Sequence, residues 1–155
     1  HVLRHVLRRV LRRVLQKTFT LPSFAALLRH DGHLHAALHP SFKELMRLID
    51  SGIPILWGLH STEQFNRIAN ERTRERVGVS PDSWKETIKD ASKQVKGLAK
   101  PHISEARHIC IIHGFNKETE EVAFTDSWGD RYKERWVGAE EALHFSQNNC
   151  WVIEY

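Results

Sequence analysis

The spacing of apolar positions changes along this 155-residue chain, and each change marks a new kind of element. Residues 1–16 repeat a four-residue unit: His1-Val-Leu-Arg, His5-Val-Leu-Arg, Arg9-Val-Leu-Arg, Arg13-Val-Leu-Gln16. A helix turns about 100° per residue, so the Val-Leu stripe winds slowly and predicts a basic amphipathic helix. Leu21-Pro22-Ser23 breaks the repeat, and Ser23 is placed to cap a short helix through Leu28. Phe42, Leu45, Met46 and Ile49 recur at three and four, which predicts a helix over Phe42–Asp50 stopped by Ser51-Gly52. The apolar run from Ile53 to Leu59 predicts a buried strand with Pro54 near its start. Two polar helices are expected next, over Thr62–Arg76 and Asp82–Gly97, the second capped by Ser80 with Pro81 at its first position.

After Lys100-Pro101 the period falls to two. Strands are expected over Arg107–Phe115, Val122–Asp126, Tyr132–Val137 and Cys150–Tyr155, with a short helix over Glu140–Phe145. Helices followed by a strand-rich second half predict an α+β fold, N-terminal helices followed by an antiparallel sheet. The expected organisation is a basic amphipathic helix over residues 1–20 and one domain over 21–155.

Charge changes the picture only once it is located. Of 23 basic residues, seven fall in residues 1–30, where no acidic residue occurs; the other 16 face all 19 acids. The body is therefore mildly acidic, unlike a surface built to grip phosphate backbones, and no nucleic-acid partner is expected. Residues 1–17 are expected to pack their Val/Leu side on the body; the alternative is contact with a partner or a membrane surface. Two cysteines exclude a disulfide scaffold and are expected to be reduced thiols, which points to a cytoplasmic setting, and no apolar run reaches a membrane span.

Chemistry concentrates between Arg107 and Gly129. Taken as a hairpin, a three-residue loop at Asn116–Glu118 sets His108 opposite Asp126, and a five-residue loop makes them diagonal neighbours. Both keep the pair on one face, about 5–8 Å apart at the backbone; a four-residue loop puts them on opposite faces. A carboxylate beside an imidazole fixes the ring tautomer and stabilises the imidazolium, which suits a general base or acid; the alternative is a cross-strand surface pair. Trp128 lies two residues on, an apolar plate that would shield such a pair from water.

His108, the apolar alternation to Gly114-Phe115, and Thr125-Asp126-Ser127-Trp128-Gly129 together resemble the second half of papain-like cysteine peptidases. Ser51-Gly-Ile-Pro-Ile-Leu-Trp-Gly58 is similar to the strand that precedes the histidine there. Asp at 126 resembles the bacterial branch, which includes peptidases that trim double-glycine leader peptides. The resemblance implies a papain-like fold, a peptide or protein substrate, no cofactor, His108 and Asp126 as catalytic base and orienter, and Trp128 as shield. It also implies a nucleophilic cysteine at a helix start near the N-terminus of the domain, where helix dipole and histidine favour the thiolate. No cysteine precedes Cys110, and Gln16 has none after it to accompany. Two expectations stay open: the nucleophile lies upstream of residue 1, or the domain is a non-catalytic peptide- or protein-binding relative.

Cys110 shares a strand face with His108, but i to i+2 on a strand gives parallel side chains, poor for proton transfer. It and Cys150 are expected to be buried apolar residues. His113 alternates away from His108 and is expected to be structural. His30, His33, His35 and His39 cluster near Asp31. A metal site with His35 and His39 on one helix face is the minor alternative to a solvated loop. Trp57, Trp84, Trp136 and Trp151 are expected in the core.

Overall fold

The computed structural model describes residues 34–37, 40–102, 106–126 and 128–153. The helices expected over residues 1–16 and 23–28, and with them the basic segment 1–17, lie outside these residues.

Local chemistry sets each helix start. Ser41 and Glu44 form a reciprocal capping box ahead of α1 (Phe42–Asp50), the Ser41 hydroxyl accepting from the Glu44 N–H and the Glu44 carboxylate from the Ser41 N–H. Thr62 caps α2 (Glu63–Glu75), and Ser80 caps α3 (Pro81–Lys96) with Pro81 in the first turn. A short helix, α4 (Ala139–Phe145), follows directly on a strand. No helix among the described residues is long and apolar enough to cross a membrane.

Six strands form one antiparallel sheet: β1 (Leu34–Ala37), β2 (Ile55–His60), β3 (Arg107–Asn116), β4 (Glu121–Thr125), β5 (Arg135–Gly138) and β6 (Ser146–Ile153), in spatial order β1-β6-β2-β3-β4-β5. The α+β expectation holds, with α1 and the α2–α3 pair on either side of β2 in sequence. One sheet face carries Ile55, Trp57, Leu59, Cys110, Ile112, Val122, Phe124, Val137, Cys150 and Val152. Leu45, Phe65, Ala69, Val95, Ala142 and Phe145 from the four helices close over it in a single core. At its centre Phe65 packs on Trp57, Phe124 and Phe145 with ring centroids 5.4–5.9 Å apart and mostly edge-on, a geometry that adds about 0.5–1.5 kcal/mol per pair beyond burial.

Several boundaries differ from expectation for identifiable reasons. Tyr132 is not in a strand: Asp130–Tyr132 forms a 3₁₀ turn, closed when the Tyr132 N–H donates to Gly129, and β5 starts only at Arg135. Strand β6 begins four residues earlier than expected, at Ser146, directly after α4. Trp136 is half-buried at the sheet edge under the Arg76 guanidinium, 3.8 Å from the ring centre, whereas Trp57, Trp84 and Trp151 are core residues as expected. His35 lies in β1, paired with Val152, so the helical i, i+4 face of the metal alternative does not form there; His39 lies outside the described residues. Among the described residues no group of three or more His, Cys, Asp or Glu could hold a metal ion.

The β3–β4 hairpin has the loop length that, by parity, should separate the pair. Asn116 pairs with Glu121 across the four residues 117–120. The Asn116 side-chain oxygen accepts from the Glu118 and Thr119 N–H groups, and Glu120 completes the turn in the left-handed region at φ 55°. The ladder then slips by one: Gly114 pairs with Ala123, yet Ile112 pairs with Phe124, leaving His113 as a bulge. That single extra residue reverses the alternation once more, so His108 and Asp126 return to the same face. The bulge lies just beyond the last β2–β3 pair, Ile55 with Ile112, and so disturbs only one ladder.

Candidate active site

His108 stands near the start of β3, opposite Leu59. Asp126 follows the last residue of β4, and its N–H donates to the Tyr132 carbonyl at 2.9 Å, which closes the loop after the strand. Gly129 in that loop has φ 106°, a conformation a side chain disfavours, which gives the Trp-Gly pair a backbone reason.

The structure brings the expected residues together. His108 Nε2 lies 2.7 Å from Asp126 Oδ1. With the carboxylate accepting, the ring proton sits on Nε2 and Nδ1 is left as the proton acceptor. Trp128 stacks on the imidazole, centroids 4.6 Å apart and planes at 26°, and Tyr132 meets the indole edge-on at 5.6 Å. Trp128 is itself 46% exposed, so it covers one ring face while remaining open to solvent on its other side.

Arg135 completes the site, and sequence patterning overlooked it. Its Nη1 donates to Asp126 Oδ2 at 2.7 Å, and both side chains are 1% exposed. Nη1 also reaches Asn66 Oδ1, and Nη2 the Asn66 carbonyl, each at 3.1 Å. The guanidinium carbon lies 5.3–5.9 Å from the ring centres of Phe124, Tyr132 and Phe65, an aromatic surround that offsets part of the cost of burying the charge. The available signal was parity: Arg135 and Val137 alternate onto the same face of β5, so a cation stands where an apolar residue is expected. Asn66, in the second turn of a polar helix, carried no comparable signal.

Neither cysteine is poised for nucleophilic attack. Cys110 is buried beside the pair, its Sγ 4.0 Å from the Trp57 carbonyl oxygen; burial, then the nearby Asp126 charge, pushes its thiol well above the ordinary range. Burial pushes Cys150 up to about 12. His113, the bulge residue, is exposed and takes no part in the site. The arrangement is thus an oriented, partly shielded imidazole with a buried ion pair behind it.

No curated protein and no solved structure matches the chain. Residues 24–152, more than half of the chain, match the model described as Peptidase_C39 like family. The chain belongs to the Peptidase_C39-like family and has its papain-like α+β fold.

Proposed function

We propose that this domain is the base-bearing part of a papain-like thiol hydrolase that acts on peptides. The observation that carries the reading is the 2.7 Å contact from His108 Nε2 to Asp126 Oδ1, backed by the equally short Arg135 contact on the other carboxylate oxygen. In this reading a thiol gives its proton to His108 Nδ1 and the thiolate attacks the peptide carbonyl carbon. The C–N bond breaks as the imidazolium returns the proton to the leaving amine, and water then hydrolyses the thioester. Asp126 orients the ring and stabilises the imidazolium, and Trp128 limits water on one face. The thiol of this scheme is supplied by neither Cys110 nor Cys150. Asp126-Ser-Trp-Gly supports the finer assignment to the bacterial branch that trims double-glycine leader peptides.

The burial of both cysteines favours a second reading: a catalytically inactive module that holds a peptide or protein unreacted. The two separate in one experiment. The complete gene product is treated with a peptidyl thiol-directed epoxide, and the modified cysteine is mapped by mass spectrometry. Modification at a cysteine other than Cys110 and Cys150, abolished by His108→Ala, supports the hydrolase. Modification indifferent to His108→Ala overturns it. Peptide binding with no modification above the denatured-protein background supports the binding module.

A further inference from the structure

Beyond the His–Asp pair and its arginine, the hydrogen bonds continue into a helix remote in sequence. We propose that Asn66 of α2 is a positioning residue for His108, acting through Arg135 and Asp126; its relevance to chemistry rests on the hydrolase reading, its geometry does not.

Asn66 is the end of the chain of contacts and is itself held. Its Nδ2 donates to the carbonyls of Ser61 and Thr62 and to the Ser61 hydroxyl, at 3.0–3.1 Å. Those bonds orient the amide so that Oδ1 can only face outward from the turn, toward Arg135 Nη1. The Asn66 carbonyl receives Nη2, so side chain and main chain of one residue grip the guanidinium fork at two points. A fork held at two points has a fixed plane, and Asp126 Oδ2 must meet it in that plane. The other carboxylate oxygen is thereby aimed at His108 Nε2.

Helix α2 is suited to the task because it is tied at both ends, to the residue before β3 at one and to α4 and β5 at the other. Ser61 N–H donates to the Ala106 carbonyl, two residues before His108. Farther along, Arg72 pairs with the buried Glu141, and the Thr73 hydroxyl accepts from the Trp136 N–H, next to Arg135. Helix α2 therefore acts as a strut that sets the imidazole's orientation.

The test follows the ring nitrogens of His108 by long-range ¹H–¹⁵N spectra of histidine-labelled protein. Asn66→Ala loses both the donors to Ser61 and Thr62 and the acceptor for Arg135. Asn66→Asp loses the same donors but keeps the acceptor. The proposal expects Asn66→Ala to mix the ring tautomers and to speed exchange of the Nε2 proton about tenfold, the factor expected for losing one bond to a charged group. It expects Asn66→Asp to keep the single Nε2–H tautomer. Equal behaviour of the two variants overturns it: retention in both means that Asn66 does not hold the ring, and loss in both means that turn stability alone accounts for the result. The spectra need no substrate, so failure of the epoxide experiment and failure of this one are separate outcomes.

Discussion

Arg135 and Asp126 form a buried ion pair, 2.7 Å from Nη1 to Oδ2 with each side chain 1% exposed. Removing one partner of such a pair strands the other charge away from water, which costs about 3–5 kcal/mol, whereas replacing both by apolar groups is often near neutral. Arg135→Met should therefore be severely destabilising, and Arg135→Met combined with Asp126→Leu much less so. Urea unfolding of the three proteins measures both; equal losses in the single and double variants would contradict the pairing.

His113 is the extra residue in β3, and the flanking pairs, Gly114 with Ala123 and Ile112 with Phe124, are already consecutive on β4. Deleting His113 should leave a regular ladder with the same partners and the same faces. The expected outcome is a folded protein that keeps the hydrogen-bonded His108 ring proton. Loss of that signal in an otherwise native amide spectrum would show that the bulge does more than correct parity.

Trp128 covers His108 but has nearly half its own surface in water. Trp128→Ala removes the buried half of a large apolar side chain, so stability should fall by about 1–3 kcal/mol. The His108 ring protons should lose the upfield ring-current shift, and the Nε2 proton should exchange faster with solvent. Unchanged shifts would mean that the indole does not rest on the imidazole in solution.

The two thiols give a pH dependence. A thiol whose pKa is raised by burial stabilises the fold fully below its unfolded value near 9, and that contribution disappears as pH rises toward the folded value, about 12 for Cys150. Both thiols are buried and both are raised above the ordinary range, so neither cysteine should react with a disulfide reagent until the protein unfolds. Stability should fall between about pH 9 and 12, and less steeply in Cys150→Ala. Rapid labelling of Cys150 in folded protein at pH 8 would refute its placement.

The sequence by itself determined the elements whose causes lie within a few residues. Ser80-Pro81 starts a helix because a hydroxyl and a fixed φ act on the adjacent turn, and the stripe from Phe42 to Ile49 marks the buried side of α1. It also brought His108 and Asp126 to neighbouring strands, since a hairpin is a local structure. Whether they shared a face was beyond it: a four-residue turn and a one-residue bulge cancel, and the bulge arises where β2 ceases to hold β3 against slippage. Trp136 likewise has the pattern of a core residue, but its edge position leaves it half-buried under Arg76. Only the tertiary structure decided what stands behind the carboxylate. Arg135 and Asn66 lie 69 residues apart, and their contact exists because Phe65 and Phe124 pack α2 onto the sheet. Periodicity records which way a side chain faces along its own element; it contains nothing about which distant charge the folded core will set against it.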